Sequence, residues 1–433
     1  MKNFIAASGI AEFFTDHFLS CVKSHFNRYD QFEFTDIEQI APDQKYIIFI
    51  NYGEIFRKKF DRYENVCYSF FKPDIHRYNN DNTGLHLSPV VLMPRRVWDD
   101  SGKGLVHWII CIHTEHYLLD RVFDVAQLHS AFNTTTDNIT VATALETDPK
   151  YTDIRSRTFR DTGIKLITFN TLKYNVKFHD KNTYTDIVNQ KLSNIQNKNI
   201  LDYKSLCYNR LPRSHRAIIV SHMLYNNKLY SDCNYSFGIY VNNEKPDLYF
   251  NYYNSSGQFD YLAQKHQYLT NLDNNISLPY EDDNLVYSND NRIYSFINTQ
   301  HIFNTSFQIV TETFLNSAAP FITEKSYKPF IMMQPFIQYG NYKAIQVLRD
   351  KGYKTFDKWI DQSYDNEVDD VKRMIMFLKE MDRLQSFSKE EWADILYDMQ
   401  DDLMHNLAVV SAPDPATPLT DITKILINFY KSH

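Results

Sequence analysis

The sequence predicts an α/β protein built on parallel sheets, and three stretches carry that prediction. Lys45 to Asn51 (KYIIFIN) and Leu105 to His113 (LVHWIICIH) are continuous apolar runs, without the alternation of a half-exposed strand. Strands of that kind are buried on both faces, as in parallel sheets covered by helices. The third stretch, Thr311 to Gly340, reads strand end, loop with neighbouring acid and base, helix, strand and glycine. Charged residues gathered at the carboxyl end of a strand mark the ligand edge of an open α/β sheet.

Taken in order, Phe4 to Ala7 reads as a short strand, followed by Ser8-Gly9 and a helix over Ala11 to Phe26. After the Lys45 strand, Val66 to Phe71 and Pro89 to Pro94 read as further strands. The Leu105 run, Asn138 to Leu145 and Ile164 to Phe169 complete the first half. Tyr184 to Gln196 is a polar helix that reads as an interdomain connection ending near Tyr203. A new unit begins with strand Ser205 to Tyr208, loop Asn209 to Pro212 and helix Ser214 to Tyr225. Ser231 to Val241 and Leu248 to Tyr252 are tyrosine-rich and extended, Asn254 to Tyr280 is loop and helix, and Arg292 to Asn298 leads towards the third stretch. There, Phe307 to Val310 runs into Glu312, a helix covers Ser326 to Met333, and a strand covers Phe336 to Tyr339. Pro335 supplies the break between them, because proline cannot continue a helix and restricts the residue before it. Helices follow over Tyr342 to Lys351, Val368 to Leu384 and Ser388 to Leu407, the last opened by the capping box Ser388…Glu391. The expected division is 1–200, 201–385 and a C-terminal helical segment, 386–433, placed to cross back.

Composition narrows the partners. The 433 residues are 43% hydrophobic and 15% aromatic, enough for two sizeable cores. The first 200 residues balance 24 basic against 24 acidic side chains, so the net charge of −7 lies entirely in the remainder. An anionic partner is therefore better tolerated by the first half. The five cysteines are scattered and form no Cys-x-x-Cys, so a reducing compartment is expected rather than a disulfide framework. Met1 to His17 is broken by Glu12 and Asp16 and does not read as a signal peptide, and no 18 apolar residues run together. A cytoplasmic protein without membrane attachment, a monomer or weak dimer, is the expectation.

Thr323-Glu324-Lys325, preceded by Glu312 at a strand end and followed by a strand closing at Gly340, resembles the donor-binding motif of GT-B glycosyltransferases of the α1,3-fucosyltransferase type. With Lys328-Pro329 and Pro335-Phe336-Ile337 included, the pattern is more similar still to glycosyltransferases of phages and large viruses. The likeness spans roughly Tyr203 to Asp365. It departs from the family where Ser326-Tyr327 follows the lysine and where Gln338-Tyr339 replaces a plainer apolar strand. The resemblance implies two Rossmann-like domains facing a cleft and a nucleotide-sugar co-substrate, UDP- or GDP-linked. It also implies that Glu324 holds the ribose hydroxyls, Lys325 the diphosphate, and Glu312 the sugar or ribose, with Thr323 as helix cap.

Other residues complete the expected site. Asn209-Arg210-Leu-Pro-Arg213-Ser-His215-Arg216 lies between a strand and a helix, where free N–H groups and guanidiniums make an anion cradle. Arg210 and Arg213 are the chosen donor contacts, with Arg216 one helical turn further on. A base for the acceptor hydroxyl is sought in the first half among Glu12, Glu54, Asp74, His113 and Glu115, with Glu54 and Glu115 preferred because each follows a strong strand. The nearest thing to an Asp-x-Asp metal motif, Glu146-Thr-Asp148, reads as a turn before Pro149, so no obligatory metal or other cofactor is expected. Walker and G-x-G-x-x-G loops are absent from the sequence. Basic clusters Arg57-Lys58-Lys59 with Arg62, Arg95-Arg96, and Arg155, Arg157 and Arg160 stand beside Phe56, Phe60, Tyr63, Trp98 and Phe159. That mixture suits phosphate contact and base stacking. The expected acceptor is a 5-hydroxy- or hydroxymethyl-pyrimidine of phage DNA. The alternatives are a glycan or lipid-linked glycan acceptor, or a non-catalytic DNA- or glycan-binding protein.

Overall fold

The computed structural model describes residues 3–6, 32–35, 39–51, 95–112, 133–143, 146, 148, 150–151, 165–168, 181–209, 213–237, 299–313, 319–412, 424 and 427–429. The chain divides into two compact units, 1–170 with 414–433 and 171–413, rather than at 200 and 385. Each unit is built on a parallel sheet.

In the first unit the strands are Asn3–Ala6 (β1), Phe32–Thr35 (β2), Tyr46–Asn51 (β3), Val106–Ile112 (β4), Ile139–Thr143 (β5) and Lys165–Thr168 (β6). They lie in the order β2-β1-β3-β4-β5-β6, every neighbouring pair parallel. Consecutive residues Ile47 and Ile48, and Trp108, Ile109 and Ile110, are all buried, so both faces of the central strands are covered. Helix α1 (Arg95–Gly102) precedes β4 and is tied to the sheet through Asp100. Asp100 accepts from Tyr46 Oη at 3.1 Å and from Arg96 Nε at 3.2 Å, while Trp108 Nε1 donates to Ser101 Oγ at 2.7 Å. The end of the chain belongs to this unit: Lys45 Nζ donates to the Phe429 carbonyl at 2.7 Å, and the Phe429 ring lies 5.1 Å from that of His107.

The second unit contains α2 (Lys181–Gln196), β7 (Tyr203–Asn209), α3 (Ser214–Tyr225), β8 (Cys233–Phe237), α4 (Thr299–Phe303) and β9 (Thr305–Thr311). After these come α5 (Glu324–Ile331), β10 (Phe336–Tyr339), α6 (Ala344–Asp350), α7 (Asp370–Ser386), α8 (Lys389–Asp398) and α9 (Gln400–Ser411). The strand order is β10-β9-β7-β8, again all parallel. Every residue of β9 is buried. Phe307 of β9 stacks on Trp392 of α8 with centroids 4.6 Å apart, and the Trp392 indole donates to the Leu384 carbonyl of α7 at 3.0 Å. The outer edge of β10 is closed by Tyr364, whose hydroxyl donates to the Gln338 carbonyl at 2.9 Å and accepts from the Gln338 amide at 3.2 Å. An edge covered in this way offers no free ladder for another strand.

Four expectations change. The helix at 326–333 begins two residues earlier and ends two earlier. Thr323 caps it, and Met333 takes φ 50°, the left-handed turn that stops a helix. The helix expected over 388–407 is two helices, α8 and α9, broken at Met399. Both belong to the second unit. Helix α2 is not a free connection, because Lys191 and Ile195 on one of its faces are buried in the second unit. The expected elements at 11–26, 66–71, 89–94, 248–252, 254–280 and 292–298 lie outside the described residues. Among the described residues, no helix is long and apolar enough to cross a membrane.

Lys191 makes α2 testable. Its ammonium is 1% exposed and donates to the carbonyls of Ile302 and Thr305 at 3.1 and 3.2 Å. Burial pushes its pKa down to about 7. The unfolded chain therefore binds one more proton than the folded one between about pH 7 and 10.4, so stability rises with pH across that window. The Thr305 carbonyl keeps a second donor in Gln334 Nε2 at 3.2 Å. Lys191→Met should thus fold, losing at pH 7 about the 1 kcal/mol of one hydrogen bond to the Ile302 carbonyl. It should also lack the wild-type gain in urea midpoint between pH 7 and 9.5. Equal gains in the two proteins would contradict a buried, neutralisable Lys191.

Candidate functional site

Among the described strands, the second sheet reverses direction in one place. From β7 the chain moves outward to β8, then returns to build β9 and β10 on the other side of β7. In open parallel sheets the crevice outside the carboxyl ends of the two strands flanking such a reversal is where ligands bind. Here those ends are Asn209 of β7 and Thr311 of β9, joined by a hydrogen bond of 2.6 Å from Thr311 Oγ1 to Asn209 Oδ1. Asn209 lies shortly before α3 in the chain, and Thr311 is followed by Glu312 and Thr313.

Glu312 organises the loop. Its side chain is fully buried, and its two oxygens accept four hydrogen bonds. Oε1 takes the Thr323 amide at 3.0 Å and the Ser326 hydroxyl; Oε2 takes the Thr323 hydroxyl at 2.6 Å and the Thr313 amide at 3.3 Å. Two backbone amides and two hydroxyls around two oxygens suit an ionised carboxylate, which accepts at every lone pair. Burial raises the carboxyl pKa, although Lys325 and the hydroxyl donors pull against it. Ser326 Oγ also lies 2.9 Å from the Gln338 amide oxygen. One hydroxyl proton cannot serve two acceptors, and the Gln338 amide nitrogen has no partner as placed. Turning the amide end for end lets its nitrogen donate to Ser326 while Ser326 donates to Glu312.

The backbone beside Glu312 is held from α3. His215 Nε2 lies 2.7 Å from the Glu312 carbonyl, and Arg216 Nη2 donates to the carbonyls of Thr311 and Glu312 at 3.2 and 3.3 Å. A carbonyl only accepts, so Nε2 carries the imidazole proton. Burial, reinforced by Arg216, Arg213 and Lys325, holds the His215 pKa well below its usual value, and the ring stays neutral. That Arg213, Arg216 and Lys325 all act on this one imidazole places three cations at the same end of the sheet.

Thr323 caps α5. It has extended backbone geometry, and its hydroxyl accepts from the Lys325 amide at 3.3 Å while donating to Glu312. The Lys325 ammonium folds back over the helix start, donating to Thr313 Oγ1 at 3.1 Å, Thr323 Oγ1 at 3.3 Å and Glu324 Oε1 at 2.8 Å. It is about a quarter exposed, whereas Glu324 is 4% exposed. The other Glu324 oxygen, Oε2, is buried with no hydrogen-bond partner. Burial pushes the Glu324 carboxyl up, but the charges of Lys325 and Lys328 outweigh it and hold it below the usual range. Lys328, one turn along, is itself pushed down to about 8 by burial. The result is an ionised carboxylate with one oxygen satisfied and one waiting for a donor, beside an ammonium at a helix N-terminus.

Of the residues expected from sequence, the structure brings together Arg213, Glu312, Thr323, Glu324 and Lys325. It changes the part played by Glu312, whose oxygens are spent on the loop rather than turned to a ligand. Arg216 likewise is 3% exposed and holds backbone. Sequence reading missed Asn209, His215, Thr313, Ser326 and Gln338 as parts of the frame; a Ser three residues after a capping Thr was the available signal. In the first unit, Arg96 is a staple: besides Asp100, it donates to the Ala41 carbonyl at 2.9 Å. It is therefore not the free phosphate contact expected. Asp148 accepts the Lys150 amide at 3.0 Å, a turn-forming role. Glu54, Glu115, Arg57, Lys58, Lys59, Arg210 and the Arg95 side chain lie outside the described residues. No family model, curated protein or solved structure matches the chain.

If Glu312 is the anchor described, Glu312→Gln should lower stability by about 2 kcal/mol, because it puts a donor against donors. Ser326→Ala should cost less, about 1 kcal/mol. Urea midpoints at unchanged slope measure both. A Glu312→Gln protein as stable as wild type would remove the anchor.

Proposed function

We propose that the chain is a glycosyltransferase of GT-B type whose second unit binds a nucleotide diphosphate-sugar at the carboxyl ends of β7 and β9. The observation that carries this reading is the Glu324–Lys325 pair at the N-terminus of α5, with Glu324 Oε2 buried and unbonded. A buried carboxylate oxygen without a donor is costly, and a ribose hydroxyl is the donor that such a ligand brings. The adjoining ammonium, the helix N-terminus and Arg213 at the start of α3 form an anion site of the kind a diphosphate occupies. The motif likeness at Thr323-Glu324-Lys325 supports the same assignment. So do the two parallel-sheet units and the grouping of 414–433 with the first unit.

In the reaction, the acceptor hydroxyl oxygen attacks the anomeric carbon of the sugar. The bond from that carbon to the diphosphate oxygen breaks, and the hydroxyl proton passes to a base of the first unit, for which Glu54 and Glu115 are the candidates. Charge grows on the departing diphosphate, where Lys325 and Arg213 stabilise it more in the transition state than before it. Glu312, Thr323, His215 and Arg216 do not touch the reacting atoms; they hold the loop that aims Lys325. Cationic side chains at the diphosphate make a bound metal unnecessary for this step. For the acceptor we favour a 5-hydroxymethyl- or 5-hydroxy-pyrimidine of phage DNA, on the Arg57-Lys58-Lys59 and aromatic clusters of a charge-balanced first half. With Arg96 used internally, that charge rests on Arg57-Lys58-Lys59 with Arg62, on Arg95, and on Arg155, Arg157 and Arg160.

UDP or GDP should raise the melting temperature, and Glu324→Ala should weaken that nucleotide by about tenfold or more. Lys325→Ala should abolish transfer while the protein still folds. If neither nucleotide alters melting, the donor site is refuted. Transfer should survive EDTA; complete loss restored by Mn²⁺ would turn attention to Glu146 and Asp148. Sugar should enter hydroxymethylcytosine-containing DNA, as read by mass spectrometry of nucleosides. Transfer to an oligosaccharide and to no modified DNA would replace the acceptor and leave the donor site standing.

A further inference from the structure

Helix α5 has one open strip. Of its eight residues, only Lys325 and Lys328 are not buried. Residues three apart are neighbours on a helix, and long side chains there lean towards the N-terminus. The Lys328 ammonium is thereby carried back along the strip towards Glu324 and Lys325. Their charges register the approach. Burial is the main reason the Lys328 pKa falls to about 8, with Glu324 acting against the fall and Lys325 with it. Glu324 feels Lys328 in return, after burial and Lys325.

The two lysines are differently employed. Lys325 Nζ donates to Thr313 Oγ1, Thr323 Oγ1 and Glu324 Oε1. Lys328 Nζ has no hydrogen-bond acceptor and no ion-pair partner among the described residues, and it is open to solvent. The single charge of Glu324 is already spent on Lys325 at 2.8 Å. Lys328 is thus a half-buried ammonium without a counter-charge, an unfavourable arrangement that a bound anion relieves.

The wider balance has the same sign. Arg213, Arg216 and Lys325 act on His215, and Lys328 acts on Glu324. These cations outnumber the carboxylates among them, Glu312 and Glu324, by two. Arg216 holds backbone carbonyls, and Lys325 holds its own loop, so Lys328 is the ammonium of α5 with every proton still to place. A diphosphate ester brings a negative charge on each phosphate, whereas a single phosphate at the helix start leaves Lys328 unmatched.

We infer that Lys328 is a second cation of the ligand site, taking one phosphate of a nucleoside diphosphate while Lys325 takes the other. The inference rests on the nucleotide reading of the crevice and adds to it the residue that selects two phosphates over one.

Calorimetric titration of the full-length protein with UDP, GDP, UMP and GMP tests this role. The better diphosphate should bind the wild type at least about tenfold more tightly than its own monophosphate. Lys328→Met keeps an unbranched side chain and removes the charge. It should weaken that diphosphate by about tenfold and the monophosphate by less than about threefold. Lys328→Arg should recover most of the loss, and Lys328→Gln supplies a second neutral variant, so the result does not hang on how Met packs. If the wild type binds neither diphosphate, the nucleotide reading fails and takes Lys328 with it. Three results would overturn Lys328 alone: a wild type that binds the monophosphate as tightly as the diphosphate; a folded neutral variant that binds the diphosphate as the wild type does; or equal losses for both nucleotides.

Discussion

The buried carboxylate of Glu312 is the constraint on which the second unit's ligand edge depends. It sits one residue past the end of β9, its amide still donating to the Tyr339 carbonyl of β10 at 2.9 Å while its side chain turns to the loop. Its two oxygens gather Thr313 from its own loop, and Thr323 and Ser326 from the start of α5. One anion thereby fixes the place at which α5 begins. Everything in the crevice follows from that point: Thr323 can cap only if it faces Glu312, and Lys325 reaches Thr313 only because α5 starts there. The carbonyl of the same residue is held by His215 and Arg216 of α3, so the elements following β7 and β9 meet at a single residue. Burying a charge this way is unfavourable unless each lone pair finds a donor. Here four donors and the neighbouring Lys325 ammonium meet that condition.

The parallel sheets were legible because burial on both faces leaves an unbroken apolar run. Trp108 to Ile110 and Ile47-Ile48 carry no alternation, and only a doubly covered strand explains such a run. Helix boundaries were less legible where the deciding feature is a dihedral angle. Met333 at φ 50° and the break at Met399 have no glycine or proline to announce them, and both residues are ordinary helix formers. The role of Lys191 was illegible for a related reason. Nothing in a polar helix tells that one ammonium serves the carbonyls at the α4–β9 turn, 111 and 114 residues away.

At the site, residue types were legible and their division of labour was not. Glu312 and Glu324 are both glutamates beside strands or helix starts, both buried, yet one has four donors and the other has an oxygen left over. No spacing rule separates them, because the difference lies in which donors the loop brings within hydrogen-bond reach of each carboxylate. Arg96 shows the bias of sequence reading: adjacent arginines near an aromatic suggest a phosphate surface, while a carboxylate four residues on makes one of them an intrahelical partner.

If the crevice binds a nucleotide diphosphate as proposed, the arrangement of Lys325 bears on how it would do so without trapping every passing anion. The three protons of Lys325 are engaged by Thr313, Thr323 and Glu324. A free phosphate has to displace a hydroxyl acceptor and approach the Glu324 carboxylate, whose charge repels it. A nucleotide diphosphate approaches the same carboxylate with a ribose hydroxyl, which donates to the vacant Glu324 oxygen and turns the repulsive partner into an attractive one. The diphosphate then replaces a neutral Thr hydroxyl as acceptor for the ammonium, an exchange that favours the charged oxygen. The Glu324–Lys325 pair need not break in either step. On the proposed function, selectivity for a nucleotide over a bare anion would arise from the carboxylate beside the lysine, and the lysine alone would lack it.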